Sequence, residues 1–341
     1  MIVVAVQILR AAAALMVAWH HARHEVALLA DRGAGPALDP ATLLPWWGGV
    51  DLFFVISGFV IVHAGGRLAG RPGGRVRFLA HRVARVVPLY WLVSLLYLVL
   101  ALARPDLLGD AAALVRDPLA LVASFLFWPA ARPDGTVQPL YGLGWTLNYE
   151  AAFYVLFAAG LGFGLRGAVA WLCGSLAGLV AVGALVPNLP VPLRFWSDPI
   201  VLEFAAGAGL ALAWGAGFRP ALLLVAAALG RPRDAAAVAR LPFPLRGLVE
   251  FGDASYALYL VHPFALRLVR EVLLRLGLAP ALHPWGSMAL MLAGSVAAAL
   301  VIHRLVERPL TRALRRRLDP GAPQNRVRAV PAPVPPGGRA D

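Results

Sequence analysis

Lysine is absent from this chain, so every side chain among the 31 Lys and Arg positions is arginine. We read that as a bias of base composition with no functional content. Charge of both signs is scarce: 14% of the residues, against about 25% in a soluble domain. With 60% hydrophobic residues and a mean hydropathy of +0.72, this shortage excludes an ordinary water-solvated domain and predicts a polytopic membrane protein. The single cysteine, Cys173, excludes an intramolecular disulfide framework. No basic stretch precedes the first apolar run, so the N-terminus is expected to be a retained first helix and not a secretory leader. The net charge of +13 would suit a nucleic-acid binder, but the arginines sit at the edges of apolar segments, where membrane topology places them. No nucleic-acid partner is expected, and neither a solenoid repeat nor an inverted transporter repeat is visible.

Against the roughly 20 residues needed to cross a bilayer, the apolar runs predict about ten transmembrane spans. Their limits are 3–22, 46–64, 84–103, 118–130, 141–162, 168–187, 199–216, 219–230, 253–275 and 286–306. The fourth and eighth are short. Arginines cluster in 65–85, in 231–246 and in the tail after 311. If all three clusters are cytoplasmic, both termini are cytoplasmic and the span count is even. The expected fold is therefore all-α: a polytopic membrane helical bundle over residues 1–310, with 311–341 a basic, then Pro/Gly/Ala-rich, disordered cytoplasmic tail.

Polar residues interrupt five of these runs. In ILRAAAALMVAWHHARHE, Arg10 and His21 are eleven residues apart, close to three turns, and so share a face about 16 Å apart along the axis. Arg10 either snorkels to the cytoplasmic edge or faces protein and water. GGVDLFFVISGFVI carries Asp51 and the Ser57-Gly58 pair, suited to close packing, to a helix start or to a site. RFLAHRVARVVPLYWL places Arg82 and Arg85 on one face, as a topology anchor or as a clamp for anions, with Tyr90-Trp91 as an interfacial belt. GLGWTLNYEAAFYVLF brings Trp145, Asn148 and Glu150 into a span; an acid there is a functional candidate by default. SYALYLVHPF sets Ser255, Tyr259 and His262 on one face, with a helix distortion expected at Pro263.

In this order the five segments resemble the acyltransferase-3 family of bacterial integral-membrane acyltransferases, over about residues 5–310. GWTLNYEAAFY is most similar to the exopolysaccharide-modifying branch. The resemblance implies an O-acyltransferase of the bacterial cytoplasmic (inner) membrane. Its donor would be acyl-CoA, with acetyl the default, and its acceptor a hydroxyl of a cell-envelope or exported carbohydrate or a glycolipid. It carries the key catalytic pair onto Arg10 and His21 and the Arg-x-x-Arg segment onto Arg82 and Arg85. A sugar hydroxyl needs a general base near neutral pH, which histidine supplies; His21 is expected in that role or as a transient acyl carrier. Glu150 is expected to orient His21 or to pair with Arg10. Arg82 and Arg85 are expected at the phosphates of CoA. Asp51, Ser57, Trp145, Asn148, Tyr259 and His262 are the expected substrate contacts. No bound cofactor and no metal are expected. Two other classes use the same residues: a proton-coupled transporter or exporter, and a haem protein with facing His21 and His262.

Overall fold

The computed structural model describes residues 4–35, 48–104, 113–218 and 243–319, and among these every regular element is a helix. The long ones are α1 (Val4–Asp31), α2 (Gly49–Gly65), α3 (Gly74–Ala103), α5 (Trp145–Gly160), α6 (Gly164–Leu185), α8 (Val201–Gly215), α10 (Ser255–Arg275) and α11 (Pro284–Ile302). Between them lie α4 (Pro118–Phe125), α7 (Val191–Trp196), α9 (Phe243–Asp253) and α12 (Arg308–Leu318). Among the described residues, three helical stretches are long and apolar enough to cross a membrane: Gly74–Ala103, Gly142–Leu185 and Pro284–Leu318. The second is really a hairpin. Gly164 takes φ 75°, open to glycine, and α6 folds back along α5. Leu92, Leu95, Leu96, Val99 and Leu102 lie exposed along α3. A surface of that kind is costly in water and is what lipid solvates.

α1 occupies the middle, packing on α2, α9, α10 and α11. Small residues set how closely the other helices approach. A Cβ on Gly58 would fall 2.2 Å from the Phe204 carbonyl oxygen, and one on Gly207 would fall 2.0 Å from that of Val55. The Ser57-Gly58 pair therefore divides its work, with the glycine seating α8 on α2 and the serine facing the interior.

Several elements differ from the sequence expectation. The fourth run, 118–130, forms only the eight-residue α4, too short to span. It is held against α3 by hydrogen bonds from Tyr90 Oη to the Ser124 carbonyl (2.8 Å) and from Trp91 Nε1 to that of Phe125 (2.9 Å). The Tyr90-Trp91 pair thus docks α4, with Tyr90 fully buried, instead of forming a simple interfacial belt. α3 starts at Gly74, so Arg75, Arg77, Arg82 and Arg85 belong to its first turns and not to a connecting loop. α1 continues to Asp31, nine residues past the expected end. The basic stretch placed in the tail is helical as α12, packed on α3. Asp319 ties its end down by accepting from Arg77 Nε (2.5 Å) and from His81 Nε2 (2.7 Å). Burial pushes the Asp319 carboxyl up, but these bonds outweigh it and hold it below its ordinary value. The eighth run, 219–230, and residues 320–341 lie outside the described residues.

Overpacking the α2–α8 crossing should cost about 3 kcal/mol or more. Gly207→Leu is expected to lower the melting temperature and the monodisperse yield in detergent. Gly209→Leu, two residues on with open space at its Cβ, should leave both unchanged.

Candidate active site

α1, α2, α3, α5 and α10 enclose a cavity of about 120 Å³, several times the space one water needs. Arg10, Ser57, Arg82, Arg85, Thr146, Glu150, Tyr154, Tyr256 and Tyr259 supply its polar wall, and Val, Ile, Leu and Phe the rest. Arg10 faces protein; it does not snorkel. Its Nη1 lies 3.5 Å from Gln7 Oε1, and Gln7 donates to Asp253 Oδ1 at 2.5 Å. Arg10 makes no ion pair within 4.0 Å among the described residues, and it interacts at longer range with Arg85, Asp253, Glu307 and Glu150.

Glu150 accepts hydrogen bonds from Ser57 Oγ (3.4 Å) and from Tyr154 Oη. Neither expected partner, His21 or Arg10, contacts it directly. Two turns of α5 place Glu150 opposite α2 and beside its own i+4 neighbour, so hydroxyls reach it first. Arg82 and Arg85 share a helix and a cavity but not a role. Arg85 Nη1 pairs with Glu307 Oε1 at 3.0 Å. Glu307 is buried and takes a second bond from His303 Nδ1 at 2.7 Å. Arg82 makes no ion pair among the described residues. It lies over the rings of Phe78 and Tyr154, 5.5 and 5.9 Å from their centroids, and its buried Nε lacks a hydrogen-bond partner. It is the freer of the two cations, and Arg315 of α12 adds a third guanidinium within electrostatic reach of both.

His21 does not line this cavity. Eleven residues of helix separate it from Arg10, while the ring of Tyr259, edge-on to Phe53 (5.8 Å), is part of the cavity wall. Tyr259 Oη donates to the Leu143 carbonyl (2.9 Å) and lies 2.8 Å from Thr146 Oγ1. Beyond it stands His262, fully buried, its ring 6.3 Å from that of Tyr259 and 5.1 Å from that of His21. The two imidazoles touch directly, without the gap that two axial haem ligands leave. His262 Nδ1 is 3.0 Å from the Leu258 carbonyl, which accepts its proton and leaves Nε2 as the free acceptor. His20 and His24 flank His21 at ring distances of 5.5 Å and, from His20 to His24, 5.2 Å. No group of three or more His, Cys, Asp or Glu suited to a metal occurs among the described residues.

Four of the expected substrate contacts are not part of the cavity wall: His262, beyond Tyr259, and Asp51, Trp145 and Asn148. Asp51 sits in the first turn of α2, where a carboxylate suits the helix dipole, and faces Glu203 across to α8. Trp145 packs edge-on to Phe54 and Tyr149. Asn148 is buried with neither carboxamide atom bonded. Sequence reasoning missed Tyr154, Tyr256, Gln7, Asp253, His303 and Glu307. Tyr256 was within sight, inside SYALYLVHPF; its hydroxyl donates to the Val86 carbonyl (2.7 Å) and joins α10 to α3.

Residues 3–230 match the family described as "Acyltransferase domain". The chain belongs to the acyltransferase-3 family. It is 32% identical over 297 residues to the exopolysaccharide production protein ExoZ of Rhizobium meliloti (strain 1021), covering 77% of this chain and 89% of that protein. It is 30% identical over 367 residues to the acyltransferase MdmB of Streptomyces mycarofaciens, covering 90% of each. No solved structure matches the chain.

Removing one partner from a buried ion pair strands the other. Glu307→Gln is therefore expected to destabilise the protein by about 3 kcal/mol, read as a lower melting temperature in detergent. The double variant Arg85→Leu with Glu307→Leu should lose clearly less than the two single variants summed.

Proposed function

We propose that this protein is an O-acyltransferase of the bacterial cytoplasmic membrane. It moves an acyl group, acetyl in the simplest case, from acyl-CoA to a hydroxyl of a cell-envelope or exported carbohydrate. The family supplies the reaction type, and the relative named for exopolysaccharide production favours a carbohydrate acceptor. The observation that carries the reading is the polar cavity lined by the guanidinium groups of Arg10, Arg82 and Arg85, with a contacting histidine pair beyond its lining residue Tyr259.

Acyl-CoA is anionic and reaches the arginine-rich end, where Arg82, with Arg85 and Arg315 beside it, receives phosphate oxygens by charge-assisted hydrogen bonds. The arm of the donor then lies in the cavity, with Arg10 a further cation for the donor's phosphates, and its thioester extends toward the far end. The acceptor comes from the opposite end. There His21, partly buried, takes the proton as the hydroxyl oxygen attacks the carbonyl carbon. The carbon–sulfur bond breaks, and the thiolate of CoA leaves and is protonated. His262, its tautomer fixed by Leu258, orients His21. Glu150, held by Ser57 and Tyr154, is a negative counterweight within the cavity. The competing reading, a proton-coupled transporter, draws on the same intramembrane Arg, Glu and His.

Purified protein in detergent, without any sealed compartment, is expected to acylate an added glycan; a transporter would not. His21→Ala should lower the rate at least 100-fold at unchanged protein level. Wild-type activity in that variant would remove His21 from the mechanism. Arg82→Gln is expected to raise KM for acetyl-CoA roughly tenfold or more with a smaller change in kcat, the cost of a lost charge-assisted bond. An unchanged KM would leave Arg82 as a topology anchor.

A further inference from the structure

A second space adjoins the polar cavity. It is a groove of about 130 Å³ between α3 and α5, walled by Leu79, Val83, Val87, Phe127, Ala151 and Val155. Arg82, Val86, Leu147, Glu150 and Tyr154 line both spaces, so they form a shared partition. The groove's polar groups all stand on that partition, and the rest of its wall is hydrocarbon. Its rim faces outward: Val83 is 42% and Val155 60% exposed. One wall is unusually well fixed. Phe127 holds a left-handed backbone at φ 58°, rare for an aromatic residue, and packs on Tyr90 with ring centroids 4.9 Å apart.

The chemistry of the reactants selects the occupant. The phosphates and nucleotide of CoA need counter-charge, and a sugar needs a partner for each buried hydroxyl. The groove offers neither beyond its partition. An acyl chain needs neither, and it is joined to the one carbonyl that has to lie near the cavity's polar groups. We propose that the groove between α3 and α5 is the acyl-chain site of the donor, so that acyl-CoA thioesters longer than acetyl bind with the chain between the two helices and its end toward the bilayer. The proposal rests on the acyltransferase reading above and names the part of the substrate which that reading leaves open.

The test needs no acceptor. The full-length protein in lipid nanodiscs is titrated with CoA, acetyl-CoA, butyryl-CoA and hexanoyl-CoA, with empty nanodiscs subtracted. A fully buried methylene tightens binding about fourfold, so butyryl-CoA should bind roughly tenfold tighter than acetyl-CoA, and hexanoyl-CoA tighter again. Ala151→Phe from α5 and Val87→Phe from α3 each fill the groove, and each should bring the hexanoyl-to-acetyl affinity ratio close to one. If CoA and acetyl-CoA bind but wild-type affinity does not rise with chain length, the groove is not the chain site, whether it is empty or filled by a bilayer lipid. A rise that survives in both variants overturns the assignment equally. Failure of every CoA derivative to bind would instead overturn the donor reading and take the chain site with it.

Discussion

A guanidinium or carboxylate inside an apolar bundle must be solvated by the protein itself. Much of this architecture follows from how that demand is met. Glu307 is the clearest case. Buried at the end of α11, it is reached from one side by Arg85 of α3 and from the other by His303 of its own helix. Residues 303–307 form a π-helical turn, within which the His303 side chain meets the i+4 carboxylate of Glu307. That pairing fastens α11 to α3 at the arginine-rich end, and it uses up Arg85. The neighbouring Arg82 faces the cavity and pairs with no carboxylate among the described residues. One structural ion pair thus separates an anchoring cation from one available to a ligand.

The sequence exposed the site to the extent that its residues violate a local rule. Glu150 stands out because an acid in mid-span is expensive, and Arg82 with Arg85 because their spacing stacks them on one helix face. Ser57 and Tyr259 came with recognisable motifs and do line the cavity. What escaped was whatever obeys a local rule. HRLVERPL reads as the frayed end of a span leading into a basic tail, and nothing in it announces that Glu307 is buried or that α12 docks on α3. Tyr90 and Trp91 match an interfacial belt, and their bonds to Ser124 and Phe125 depend on a distant segment folding back.

The treatment of Arg10 and His21 shows the limit of periodicity. Eleven residues do set both on one side of α1, but a helix repeat fixes azimuth and says nothing of where a cavity ends. Depth is decided by the partners: Phe53 from α2 and Tyr259 from α10 touch on the cavity wall, and His262 and His21 lie outside that wall. The resemblance to a family placed the two residues in one reaction. The structure puts Arg10 on the cavity wall and His21 off it, in contact with His262.

That division has a chemical consequence on the acyl-transfer reading. A thioester is a target for water as much as for a sugar hydroxyl. A donor cavity opening directly onto an acceptor at the far end would let bulk water reach the carbonyl along the same path. The Tyr259 ring stands between the cavity-lining Phe53 and His262, and its hydroxyl is committed to Leu143 and Thr146, with no free proton to offer. His262 behind it is equally fixed by Leu258 and packs on His21. The ring contacts that lead from the cavity wall to the histidine pair run through Tyr259. An acceptor that fills the far side would meet the carbonyl with its hydroxyl beside a base and with water already displaced. Selectivity for the sugar over water would then be set by the occupancy of one aromatic side chain rather than by the strength of the base.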